Sequence, residues 1–270
     1  MSLFDTMAIV SIGGGSLMDL TNKVAIITGA AGSIGRAIGE KFLEANAHVA
    51  FLDINYDALT QLAKDLDARG IPQARWIVAK VDVSIPESIA EAFATVDREL
   101  GLCDVAVANA GVAEAAPFLD LTVANWQRTV DINLTGVFLT CQAAAQRMKL
   151  KGGGTLLTMS STNGLVGEKN LAAYNASKAG VLLLTKTIAI ELAPFHIRAN
   201  ALNPGMIDTG LAKRSGLDSS FLDRYVEKIP MGRLGLPHEV ASAALFLVSD
   251  ASPFITGAAL VIDGGQLSEE

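Results

Sequence analysis

Thiols and imidazoles are scarce in this 270-residue chain, which has two cysteines and three histidines. Cys103 and Cys141 each sit in an apolar context with no second thiol or histidine at ligand spacing. That argues against a disulfide framework or a thiolate metal centre, and they read as buried core residues of a reducing, cytoplasmic compartment. His48, His196 and His238 fall at strand or helix starts without metal-like spacing, so no metal site is expected. Positive charge is also short, since 21 Lys and Arg against 28 Asp and Glu leave a net −7. Nucleic acid and anionic membrane surfaces both call for basic patches, so neither is an expected partner. No apolar run approaches the length of a bilayer span. The mildly apolar stretch 7–17 follows Asp5 and no Lys or Arg, the wrong charge for a secretory signal. With its Gly13-Gly14-Gly15 run, the stretch 1–19 is expected to be a flexible extension outside the fold.

What the chain has in quantity is hydrophobic residues, 50% against 18% charged, enough to bury one sizeable core. From Lys23 onward, short β-rich runs alternate with longer helical ones. Strands are expected over 24–28, 49–53, 76–81, 105–108, 155–159, 198–202 and 259–262. Most of these runs are continuously apolar, as for strands covered on both faces. Helices are expected between them, for example over 33–46, 56–68 and 86–100, with Pro86 suited to a first turn. The alternation predicts an α/β fold: a Rossmann-like, doubly wound, seven-stranded parallel sheet with helices on both faces. No linker or repeat divides it, so residues 20–270 are expected to form a single domain. Two later helices, 125–148 and 172–192, are apolar around most of their circumference, and the second carries Val181-Leu182-Leu183-Leu184. A helix outside a sheet keeps one polar side. These two are therefore expected to pack on the sheet and on another subunit, giving a homodimer or homotetramer. Burial under the loop near 205–230 is the other reading.

Straight after the first strand comes Thr28-Gly29-Ala30-Ala31-Gly32-Ser33-Ile34-Gly35, which opens a helix. Small residues let a backbone approach a pyrophosphate, and a helix N-terminus offers free N–H groups and positive potential. Gly29, Ser33, Ile34 and Gly35 are the candidates for that contact. A glycine cluster alone marks only a tight turn, but here it has the strand–turn–helix setting of a dinucleotide site. Asp53 ends the second strand, where an acid bonds the adenosine ribose hydroxyls. Asp82, with Val83 beside it, ends the third strand and is placed to meet the adenine edge. Asn109-Ala110-Gly111 ends the fourth, across the switch point from the glycine loop. Asp53 would repel a 2′-phosphate, and no Arg or Lys stands at Ala31 or Gly32, so NAD is expected over NADP.

Tyr174 and Lys178 lie four apart at the start of an apolar helix and share one face. Ser160-Ser161 ends the fifth strand, and Asn133 lies in the preceding helix. At this point the chain resembles the short-chain dehydrogenase/reductases in their compact single-domain form. The resemblance runs from about Leu20 to Gln266, through the glycine loop, Asn109-Ala110-Gly111, Asn133, Ser161, Tyr174, Lys178, and Pro204-Gly205 with Thr209. It departs at Ser33, where the family usually has its middle glycine; a serine still offers an N–H and a hydroxyl to phosphate.

The resemblance implies an oxidoreductase that interconverts a secondary alcohol and a ketone. Asn133, Ser161, Tyr174 and Lys178 are then the catalytic group. Tyr174 is the acid/base, its phenolate favoured by the Lys178 ammonium and the nicotinamide ring. Ser161 bonds the substrate oxygen, Lys178 also holds the nicotinamide ribose, and Asn133 anchors a water that passes protons on. Pro204, Gly205, Ile207 and Thr209 join the cofactor site. In relatives the last strand, near 258–265, adds a second contact between subunits. Substrate contacts are expected from Ser161, Asn163, Glu168, Tyr174 and Met206, on a polyol, sugar or similar small polar hydroxy compound. The segment 206–229, with Leu211, Phe221, Leu222 and Tyr225, reads as a lid; solvated loop charge is the plainer reading of Glu168 and its neighbours. The alternatives are a 3-oxoacyl thioester reductase acting on carrier-protein or CoA substrates and, in another class, a non-catalytic dinucleotide sensor or scaffold.

Overall fold

The computed structural model describes residues 17–210 and 225–268. Seven parallel strands stand in the order β3-β2-β1-β4-β5-β6-β7. They are β1 (Val24–Thr28), β2 (His48–Asp53), β3 (Trp76–Lys80), β4 (Val105–Ala108), β5 (Gly154–Met159), β6 (Ile197–Pro204) and β7 (Ala259–Ile262). The order reverses between β1 and β4, where both neighbours run upward into turns that open a crevice at their carboxyl ends.

The apolar runs make these strands because each is covered twice. On one face α1 (Ser33–Glu44), α2 (Tyr56–Ala68) and a late helix over Pro237–Val248 bury Ile38, Phe42, Leu59, Leu62 and Val240 against Val105, Val107 and Leu157. On the other, α3 (Pro86–Glu99) and the two long apolar helices bury Phe93, Val137, Cys141 and Val181 against Ile26, Ala106 and Leu156. Both cysteines lie in this second layer, where burial pushes each thiol up to about 12. They are apolar packing, as their sequence context implies.

Most expected boundaries fall within one or two residues of those observed, and two of the departures have a physical reason. Strand β6 runs on to Pro204 because β7 pairs with it through Pro204 and Ile262. The helix expected over 125–148 is three pieces: α4 (Val123–Val130), a π turn over Asp131–Thr135, and α5 (Gly136–Lys151). Gly152, at φ +90°, ends α5 in the left-handed region that glycine enters without strain. Helix α6 (Ala172–Leu192) is continuous, and the helix over Pro237–Val248 becomes α7. Helix α6 buries Val181, Thr185 and Ala189, yet leaves Leu183 and Ile190 68% and 76% exposed.

Asp19, the last residue of the expected extension, is tied to the fold. Its carboxylate accepts from Asn46 Nδ2 at 3.0 Å, and Leu20 behind it is buried. Residues 1–16 of the expected extension, and 211–224 of the expected lid, lie outside the described residues. Among the described residues no helix is long and apolar enough to cross a membrane, and no group of side chains is set to hold a metal.

Candidate active site

The turns after β1 and β4 are built into each other. Gly29 has φ +66°, and a Cβ on it would lie 2.7 Å from Ala110 Cα. A Cβ on Gly35 would lie 2.4 Å from the Gly29 carbonyl oxygen, so α1 starts as close to the loop as backbone allows. Asn109 clamps the junction, donating from Nδ2 to the carbonyls of Thr28 and Gly29 at 2.9 and 3.2 Å. The Thr28 hydroxyl accepts from the N–H groups of Asn109 and Ala110. No side chain caps the first turn of α1, which leaves it the kind of helix start that takes an anionic group.

Beside this junction lies a cleft of about 570 Å³, within the range of cofactor sites. Gly29, Ser33, Ile34, Gly35, Asp53, Asp82, Val83, Asn109, Ala110, Gly111 and Thr209 line it. Ile54, Asn55, Ala58, Arg128 and Ile132 also line it without having been expected there. They come from two stretches far apart in the chain, 54–58 and 128–132, and only the crevice gathers them. The Asp53 carboxylate holds the glycine loop by accepting from Ala31 N at 2.9 Å, and its other oxygen accepts from Asn55 N. Asp82 turns its Oδ1 onto Ser84, through both the N–H and the hydroxyl. Ser33 departs from its expected use: its hydroxyl donates to the Thr209 carbonyl at 2.9 Å. A hydroxyl has one proton, so the Ser33 contribution to an anion falls to its N–H.

Around the end of β5 the expected catalytic residues converge. Ser161 Oγ accepts from Asn163 N at 3.2 Å, makes a long 3.4 Å contact to the Pro204 carbonyl, and is hydrogen-bonded to Tyr174. Lys178 Nζ donates to Met159 O at 2.7 Å and lies 5.6 Å from the centre of the Tyr174 ring. A Cβ on Gly111 would sit 3.4 Å from that Nζ and 3.3 Å from Asn133 Oδ1, which ties the cleft to this group. Asn133 itself is fully buried. Its Oδ1 accepts from Val112 N, and its Nδ2 donates to Val112 O and Ser177 Oγ. The side chain is therefore committed to protein contacts.

The electrostatics correct one expectation. In the protein alone, Tyr174 is pushed up from the ordinary phenol range, by burial first, against the Ser161 hydrogen bond, with Glu168 and Tyr225 adding to the rise. Lys178 does not counter this, because burial pushes it down to about 8.

The loop residues are better ordered than solvated charge would be. Asn163 is buried and donates from Nδ2 to Glu168 Oε2 at 2.9 Å and to Asn175 Oδ1 at 3.0 Å. Asn175 returns a bond to the Glu168 carbonyl. Pro204 and Gly205 lie behind Ser161, and a Cβ on Gly205 would meet Asp263 at 2.9 Å. Ile207 is buried in the core, where its backbone bridges to Gly235. Met206 lines a different cleft, of about 310 Å³, with Met231 and Arg233.

A family model described as enoyl-(acyl carrier protein) reductase matches residues 29–266. The chain is 39% identical over 247 residues to the NAD-dependent glycerol dehydrogenase of Listeria innocua, covering 92% of this chain and 94% of that one. It is likewise 39% identical over 247 residues to the D-threitol dehydrogenase of Mycolicibacterium smegmatis, covering 91% and 93%. The crystal structure of a short-chain type dehydrogenase/reductase from Mycobacterium marinum superposes with a TM-score of 0.88 at 38% identity, covering 94% of this chain and 98% of that. With its parallel sheet and crevice, the chain belongs to the short-chain dehydrogenase/reductase family and is an oxidoreductase that uses a nicotinamide dinucleotide.

Proposed function

We propose that the protein oxidises a secondary hydroxyl of a small polyol to the ketone, with NAD as the cofactor and Tyr174 as the general acid/base. The observation that carries this reading is the grouping of Ser161, Tyr174 and Lys178 next to the Asn109–Gly111 turn, itself locked to the glycine loop. The tight Gly29–Gly35 turn and the cleft beside it fit a dinucleotide, whose pyrophosphate would lie against the N–H groups of Ser33, Ile34 and Gly35. When bound, the nicotinamide supplies the hydride acceptor.

The chain's own residues do the rest. Tyr174 takes the hydroxyl proton as the carbonyl forms and passes it on toward solvent. Ser161 Oγ is held on its acceptor side by Asn163 N, and its proton, given only over a long 3.4 Å contact to the Pro204 carbonyl, can turn to the substrate oxygen as negative charge develops there. Lys178 would hold the nicotinamide ribose from its buried position under the Gly111 turn. Asp53 supports NAD, since its carboxylate lines the cleft at the end of β2, where a 2′-phosphate would meet like charge. The relatives named for glycerol and D-threitol support a polyol.

The test is NADH absorbance with a panel of polyols and ketones. Turnover with NAD is expected to exceed that with NADP by about 10-fold or more in kcat/KM. Equal values would refute the cofactor assignment. Turnover of 3-oxoacyl thioesters with NADPH, and of no polyol, would replace the substrate assignment.

A further inference from the structure

Two hydrogen-bond acceptors reach the surroundings of Ser161, one from its own loop and one from beyond the last strand. The first is the Glu168 carboxylate. Asn163 links it to the site, its backbone N–H on Ser161 Oγ and its side-chain amide on Glu168 Oε2. The other carboxylate oxygen of Glu168 takes no hydrogen bond among the described residues, and the residue is half-buried. The second acceptor is Gln266, near the end of the chain. Its Oε1 is buried with no hydrogen-bond partner among the described residues, 3.3 Å from where a Cβ on Gly205 would stand, directly after the Pro204 carbonyl that faces Ser161. Its Nε2 makes a long, 3.5 Å contact to the Tyr225 hydroxyl. Tyr225 in turn feels the Glu168 charge, as Tyr174 does.

We propose that Glu168 and Gln266 form an acceptor wall of the substrate site that selects neutral polyhydroxy compounds and rejects substrates bearing a carboxylate. This rests on the reading of the site as an alcohol dehydrogenase. A buried carbonyl oxygen and a half-buried carboxylate both need donors. The hydroxyls beyond the reacting carbon of a polyol are donors, whereas an ionised carboxylate is an acceptor only and meets the Glu168 charge. Nearby cations do not reverse this. The Lys178 ammonium is buried and donates to Met159 O. Lys169 and Lys228 are exposed, the latter 5.9 Å from the Tyr225 ring, and exposed charges are screened by water.

The experiment compares kcat/KM with NAD for two matched pairs, glycerol with glycerate and threitol with threonate, and for 2-butanol. The wild-type enzyme is expected to favour each polyol over its acid by about 100-fold or more, the scale of a like-charge contact. Glu168→Gln keeps an oxygen for Asn163 and removes the charge, so it is expected to narrow that ratio by about tenfold or more, helping the acid and hurting the polyol. Gln266→Leu is expected to raise the KM for threitol by about tenfold or more. Equal wild-type values for polyol and acid overturn the proposal without any variant. An unmoved ratio in Glu168→Gln, or an unmoved KM in Gln266→Leu, overturns the role of that residue. If 2-butanol is oxidised but polyols and acids are not separated, this inference alone fails. If no alcohol in the set forms NADH, the dehydrogenase reading fails and takes this inference with it.

Discussion

Tyr174 and Lys178 are one helical turn apart, and burial acts on them in opposite directions. It raises the phenol and lowers the ammonium to about 8. Tyr174→Phe keeps the ring and its packing while removing the group that exchanges the alcohol proton. Turnover is expected to fall by about 100-fold or more, with NADH affinity by fluorescence titration almost unchanged; near-normal turnover would place the proton acceptor elsewhere. For Lys178 the stability of the cofactor-free protein supplies a second measurement. Its pKa is lower in the fold than the ordinary 10.5. Below about pH 8 the folded protein therefore carries the full cost of a buried ammonium, and that cost is relieved as pH rises from about 8 toward 10.5. Lys178→Met removes the charge, so its melting temperature relative to wild type is expected to decline across that window. A constant difference between the two melting curves would show that Lys178 does not titrate there.

Among the elements, the β1–α1 turn and the π turn before α5 show how backbone shape makes the site. Gly35 has no room for a methyl group, since a Cβ would press on a backbone carbonyl at 2.4 Å and on Asn109 Nδ2 at 2.7 Å. Gly35→Ala is expected to push α1 away from the loop and weaken NADH binding by about tenfold or more. Unchanged binding would mean that the dinucleotide does not depend on that close approach. The π turn puts Asn133 inward, with its amide on both polar groups of Val112, and so fixes the chain that leaves the Gly111 turn. An unbroken α-helix through 131–135 would rotate Asn133 out of that register.

On the scale of the whole molecule, the exposed apolar residues of α5 and α6 need an account. Leu150, Leu183 and Ile190 are each more than two-thirds exposed on helices whose opposite side is fully packed. We read this face as an isologous two-fold interface. Leu183→Glu together with Ile190→Glu is expected to give a monomer in sedimentation at micromolar concentration, where the unaltered protein sediments as a dimer or tetramer. A monomeric wild-type protein would leave that face without an oligomeric role. The Gly13-Gly14-Gly15 run reads as a flexible extension, so removal of residues 1–16 is expected to leave melting temperature and turnover unchanged; a drop of several degrees would assign those residues to the fold.

The sequence by itself determined the sheet. Strands such as Val105–Ala108 and Ala259–Ile262, and the helix Ala172–Leu192, fall where their apolar patterning places them, because a continuous apolar run or a helical period is a local property. The glycine loop, Asp53, Ser161, Tyr174 and Lys178 were legible for the same reason, since each sits at the end of a recognisable strand or start of a helix. Through-space relations were not legible. Ser33 spends its hydroxyl on a carbonyl 176 residues away, and Gln266 meets Tyr225 and Gly205 beyond the carboxyl ends of β6 and β7. Met206 follows the Pro-Gly turn in sequence yet lines another cleft. The direction in which Tyr174 titrates followed from burial, which no neighbour in the sequence reveals. Local pattern chooses the elements, while hydrogen-bond partners and local dielectric belong to groups brought together only when the chain has folded, and tertiary structure alone decides those.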